Sequence, residues 1–270
     1  MSLLRLIALV CVFLQATPSF AHEFWIEPDN YQVQSGENLN ANLRNGQNFD
    51  GINLAWFQNR FTRFEMVSAG QTIPVIGRMG DSPALQTTAP GDGLLVILHE
   101  TTASTLTYTE WDKFLAFAAH KDFPNAAADH QAAGWPMDRF GESYTRHVKA
   151  LVAVGSGAGS DQNFGMATEF VAITNPYIDE FNGQMEVELR YLDAPRADAQ
   201  VEVFDRAPDG SVAVTLSRTD EAGRAVIPVS RGHTYLFDAV VLRPFEDAGT
   251  SEKAPVWETL WAALTFAVPQ

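Results

Sequence analysis

Apolar and polar positions alternate most regularly in the second half of the chain. Met185, Val187, Leu189 and Tyr191 are separated by Glu186, Glu188 and Arg190; Val201 and Val203 flank Glu202; and Val212, Val214 and Leu216 repeat the pattern. A period of two sends successive side chains to opposite faces, so each run reads as a strand with one buried face. Turn-forming clusters fall between the runs: Asp193-Ala194-Pro195, Pro208-Asp209-Gly210 and the TDEAG stretch ending at Gly223. Short strands punctuated in this way predict a β-sandwich of immunoglobulin-like or prealbumin-like type. The apolar runs 226–229, 235–242 and 260–268 supply its remaining strands.

The first half is mixed. Strands are expected at 25–28, 31–33, 39–43, 54–57 and 94–98, but between Thr109 and Gln131 the period changes. Thr109 is placed to cap a helix with Asp112 as its N3 acid, and Trp111, Phe114, Leu115 and Ala118 then share one helical face. Pro124 closes that helix, and 126–133 suits a second. Strand character returns over 142–154, and the Gly/Ser-rich stretch 155–161 breaks the pattern. The expectation is a mainly β protein with two sandwich-like domains. The first, 22–160, carries a short helical insertion, and the second is 161–270.

The first 21 residues form an export signal. Arg5 gives the positive start, 6–14 is a short apolar core, and Ser19 and Ala21 fit a small-x-small cleavage site, so processing is expected after Ala21. The apolar core falls well short of the ~20 residues that span a bilayer. The protein is therefore expected in the periplasm without membrane insertion. The single cysteine, Cys11, leaves with the signal, so disulfides and thiolate chemistry are not expected of the mature chain. The net charge of −15 disfavours nucleic acid and anionic membrane surfaces and attracts cations.

That cleavage makes His22 the first residue. An N-terminal histidine offers its α-amine and its imidazole Nδ1 to one cation in a six-membered chelate, and one further imidazole completes a T-shaped three-nitrogen site of the histidine-brace type. An α-amine pKa near ~7.7 makes deprotonation feasible around neutrality. Among the other histidines, His99 ends the apolar strand 94–98, where functional side chains tend to sit, and is the expected partner. His147 is the second choice; on a strand it shares a face with Lys149, while Tyr144 and Arg146 share the other. His120 is expected to cap a helix C-terminus, His130 to be solvated and His233 to occupy a turn. Glu142 and Arg146 are expected to pair structurally. No Gly-x-Ser-x-Gly elbow, phosphate-binding loop or His-Glu-x-x-His motif occurs.

Several segments, taken in order, resemble the domain-of-unknown-function 4198 family. They are the opening AHEFWIEP from Ala21; Glu142, Tyr144, Arg146, Lys149 and Leu151 in the spacing Glu-x-Tyr-x-Arg-x-x-Lys-x-Leu; Glu169-Phe170 followed by Asn175-Pro176; and the Thr219-Asp220-x-x-Gly223 stretch. The resemblance implies an association with nickel and cobalt uptake, and a free periplasmic component rather than the membrane-anchored form. Residues and resemblance together lead to one expectation. It is a periplasmic transition-metal binding protein, an accessory to a membrane uptake transporter, which holds nickel- or cobalt-type ions on His22 with His99 or His147. Copper and zinc are the other candidate metals. Two rivals are a copper-dependent oxidative enzyme using the same chelate, and a structural or adhesion sandwich with no metal.

Overall fold

The computed structural model describes residues 22–178, 180–251 and 254–270. The segment expected to be an export signal, 1–21, lies outside the described residues. Nine strands come first: β1 (Glu23–Pro28), β2 (Gln32–Val33), β3 (Asn38–Gln47), β4 (Asp50–Leu54), β5 (Phe61–Ser68), β6 (Gln71–Pro74), β7 (Leu85–Thr88), β8 (Gly93–Thr101) and β9 (Ser104–Tyr108). Two helices follow, α1 (Trp111–His120) and α2 (Ala126–Ala132). Then come β10 (Phe140–Val154), β11 (Thr168–Ala172), β12 (Gln184–Tyr191), β13 (Ala194–Pro195), β14 (Gln200–Arg206), β15 (Val212–Arg218), β16 (Arg224–Pro228), β17 (Thr234–Pro244) and β18 (Trp257–Ala267).

Among the described residues these strands form three sheets. The largest runs β15-β14-β17-β18-β10-β8-β5-β6, with β2 and β9 also paired to β10. Its middle is the parallel pairing of β10 with β18, in which Arg146 lies opposite Trp261 and Lys149 opposite Leu264. This sheet therefore runs without a break from strands before the Gly/Ser stretch to strands after it. β10 is why: from Val148 to Val154 it is buried on both faces, the mark of a central strand.

The two faces of the central sheet bury different cores. Val148, Ala150, Val152 and Val154 face a core shared with Trp25 and Ile26 of β1 and Leu39 and Leu43 of β3. Leu151 and Ala153 face the other, with Phe170 of β11 and Met185, Val187 and Leu189 of β12. One outer layer is the sheet β1-β3-β4 with β7; the other is β11-β12-β13 with β16. The expected mainly β, sandwich-like fold is thus present, with one broad sheet serving as the inner wall of both sandwiches.

The helical insertion packs beside β9 and, through Phe114, Phe117 and Ala118, against Trp257 and Trp261 of β18. α1 starts one residue later than its expected cap: Glu110 occupies the N-cap, with no side-chain cap bond. It ends at His120, ahead of Pro124, where Lys121 turns inward and Asp122 takes φ +65°. Just past the end of α1, Lys121 approaches Glu23 of β1, and polar groups collect there.

Candidate functional site

On the β1/α1 side of the central sheet, the even residues of β10 pass from apolar to polar. Val148 closes the core; Arg146, Tyr144 and Glu142 then continue the same row into two adjoining clefts. One, of about 300 Å³, is lined by His22, Lys113, Glu142 and Trp261 among others. The second, of about 250 Å³, is lined by Phe24, Leu54, Phe57 and His99 among others. Asn45, Tyr144 and Arg146 line both.

Arg146 is the pivot. Its side chain is buried, and its guanidinium carbon lies 3.9 Å from the Trp261 ring centroid and 5.2 Å from that of Tyr144. A guanidinium held over aromatic rings in this way is fixed in place as a lysine ammonium would not be. Its Nη2 donates a hydrogen bond of 2.8 Å to the carbonyl oxygen of His22, while Nη1 finds no partner in the protein. Burial lowers the Arg146 pKa against the upward pull of Asp238, Tyr144, Glu142 and Glu23. The residue just ahead of β1 is therefore clamped at the lip of a cleft, with its side chain exposed to solvent.

The expected Glu142–Arg146 pair does not form as a direct contact. Glu142 instead accepts hydrogen bonds from Tyr108 Oη at 2.9 Å and Thr259 Oγ1 at 2.5 Å, and Trp261 Nε1 donates to the same Thr259 oxygen at 3.0 Å. Burial raises the Glu142 pKa, opposed by these two hydroxyls and by Arg146.

Beneath the clefts lies a charged cluster that periodicity did not disclose. Lys121 Nζ sits 2.9 Å from Glu202 Oε2, 3.1 Å from Asp238 Oδ2 and 3.9 Å from Glu23 Oε1, and 4.6 Å from the Trp261 ring centroid. His120 Nε2 approaches the other oxygen of Glu202 at 3.2 Å. Burial tends to lower the Lys121 pKa, but Asp238, Glu202 and Glu23 outweigh it and hold the amine charged. Burial pushes Glu23 up to about 8, helped by the negative charge of Asp238. At neutral pH Glu23 thus carries its proton. Glu23 Oε2 and Asp238 Oδ1 find no hydrogen-bond partner in the protein.

The three histidines singled out in the sequence are not gathered at one point. His22 lines the first cleft and His99 the second. His99 is 2% exposed and ringed by Phe24, Phe61 and Phe64, with centroid distances of 5.4, 5.3 and 4.9 Å. Burial pushes its pKa down to about 3, so it is neutral, and its Nδ1 has no partner. His147 points from the other face of the central sheet, 4.0 Å from Glu100, and burial pushes its pKa down to about 4. Among the described residues no group of three or more His, Cys, Asp or Glu side chains is placed to hold a metal ion.

The remaining histidines have structural partners. His130, expected to be solvated, is fully buried: its Nδ1 accepts from Trp257 Nε1 at 3.0 Å, its Nε2 lies 3.1 Å from the Pro136 carbonyl, and aromatic rings surround it. An alanine-rich helix looked polar because the residue that covers and bonds its histidine, Trp257, is distant in sequence. His233 sits 2.6 Å from Asp205 at the end of β17. What sequence reasoning missed in the site is Arg146 as a clamp and the Glu23–Lys121–Glu202–Asp238 cluster. An arginine and a glutamate spaced four apart on one face of an otherwise apolar strand were the available signal.

No curated protein matches the chain. Solved structures include the D0-D1 domain of Intimin, 12% identical, covering 90% of this chain and 97% of that one, with a TM-score of 0.21. Another is a tetra-tandem repeat in the extending region of a large adhesion protein, 11% identical, covering 92% of this chain and 50% of that one, also with a TM-score of 0.21. A family model described as "Domain of unknown function (DUF4198)" matches residues 19–243, most of the chain, and the protein belongs to that family.

Proposed function

We propose that this is an exported binding protein that takes a transition-metal ion as cargo on the processed N-terminus, acting as an accessory to metal uptake. The observation that carries the reading is the buried Arg146, stacked on Trp261, holding the carbonyl oxygen of His22 at 2.8 Å on the lip of a cleft. After cleavage behind Ala21, the α-amine and imidazole of His22 would belong to one clamped residue, a pre-organised pair of nitrogen donors. The neutral imidazole of His99, which lines the adjoining cleft, is the further donor. His147 remains a weaker candidate because the central sheet separates its face from the clefts. Nickel or cobalt is the cargo favoured by the family resemblance, and copper or zinc would suit the same donors.

Calorimetric titration tests this with nickel, cobalt, copper and zinc salts, on protein beginning at His22 and on a form with one extra residue ahead of it. The expected result is binding by the first form and little by the second, because an added residue converts the α-amine into an amide. Equal binding by both overturns the chelate, and no binding by either overturns the metal reading. Oxygen consumption with ascorbate by the copper-loaded form would move the assignment from carrier to oxidative enzyme.

A further inference from the structure

The other face of β10 carries a second charged group, built differently. Lys149 is completely buried, and so are the carboxylates of Asp161 and Glu169. Its Nζ lies 3.1 Å from each Asp161 oxygen, 2.6 Å from Glu169 Oε1 and 2.9 Å from the Gln162 carbonyl oxygen, and the Phe164 ring centroid is 4.7 Å away. An ion pair alone has little use for such sealing, since the desolvation of three charges offsets much of their attraction. Burial raises the Asp161 pKa, against the opposing pull of Lys149 and of the backbone N–H groups of Ala172 and Gln162.

Backbone donors complete the arrangement. The Ala172 N–H donates to Asp161 Oδ2 and the Gln162 N–H to Oδ1, both at 2.8 Å. The Ala172 N–H is thereby placed to stabilise negative charge developing on Oδ2 when the carboxyl carbon becomes tetrahedral. Glu169 is fixed separately by the N–H groups of Phe164 and Met166 at 2.9–3.1 Å, leaving Oε1 against the amine as a positioned base. Nucleophile, acceptor and proton relay thus lie within contact distance and away from water.

We propose that Lys149 and Asp161 are joined by an intramolecular amide bond, formed as the chain folds, with Glu169 as the catalytic proton carrier. The Lys149 ammonium gives one proton to the Asp161 carboxylate, leaving a neutral amine beside a carboxylic acid. The amine lone pair attacks the carboxyl carbon, forming the Nζ–Cγ bond, and Glu169 takes the second proton from the nitrogen as that bond forms. Glu169 then passes its proton to the departing hydroxyl, the Cγ–Oδ1 bond breaks, and water leaves. Ammonium and carboxylate become amide and water; no oxidant or cofactor is involved, and Glu169 ends as it began. The bond ties the central sheet to the segment leading into β11, and so to the outer sheet, in a mature chain without cysteine.

Intact mass spectrometry of the folded, processed protein reads the bond directly. The expected mass is lower than that of the sequence by one water, and a tryptic digest should yield a branched peptide joining the segments of Lys149 and Asp161. Glu169→Gln and Lys149→Arg should both restore the full sequence mass. Should either variant fail to fold, the branched peptide in the wild-type digest still decides. Wild-type protein that is folded by circular dichroism and carries its full sequence mass overturns the proposal and leaves an ion triad.

Discussion

The two faces of β10 present two ways of burying charge. On one face Lys149, Asp161 and Glu169 are sealed, and backbone N–H groups reach both carboxylates. On the other, Arg146, Lys121, Glu23, Glu202 and Asp238 collect beneath the clefts, and three of their polar atoms find no partner in the protein. A satisfied group specifies one geometry and holds it. An incompletely satisfied one beside a cleft retains unspent capacity to bind, and partly satisfied polar groups in a native structure call for a reason. The difference separates the half of this sheet that fixes the architecture from the half where residue 22 meets solvent.

Substitutions that treat the two faces alike should expose that difference. Lys149→Met leaves two buried carboxylates without a cation, and a loss of ~3–5 kcal/mol in urea unfolding is expected, or no soluble protein at all. A loss under ~1 kcal/mol, the scale of exposed pairs, would show that the sealed face is not the rigid one. Lys121→Met should cost less, ~1–3 kcal/mol. There Arg146 remains as a second cation, and Asp238, whose pKa burial already raises, can take up a proton. Equal losses at the two lysines would erase the contrast.

Arg146→Lys keeps a charge but loses the planar stack and the aimed bond to the His22 carbonyl. Metal affinity of the processed protein should fall ~10–100-fold, as for other supports of a metal-binding residue, while the Lys149 face keeps its mass and stability. Glu23→Gln should give the smallest effect. The folded pKa of Glu23 is about 8 against 4.5 for the free side chain. It therefore contributes stability below pH 4.5 that is lost as pH rises towards 8. In metal-free protein the variant should melt above wild type at pH 8, with the gap closing towards pH 5. A gap that widens on acidification would reverse the assigned sign.

Much of the fold is legible in the chain because it is local. Alternation in 185–191 and 201–203 delivers β12 and β14, and the helical period from Trp111 delivers α1. What is not legible is pairing at long range. Nothing in 142–154 announces that its neighbour is β18, more than a hundred residues later, and that pairing is what sets Trp261 beneath Arg146. His130 is misjudged for the same reason, its burial being decided by Trp257. The site is half legible. His22 follows from a cleavage rule and His99 from a strand end. The Glu23–Lys121–Glu202–Asp238 cluster draws one residue from each of four separated segments, and no spacing in the chain connects them.

The intact mass of the protein recovered from the cell envelope tests the account most directly. The expected value is that of residues 22–270 less one water, which places a free amine on His22 and an amide at Lys149. A chain beginning at any other residue would contradict the N-terminal chelate.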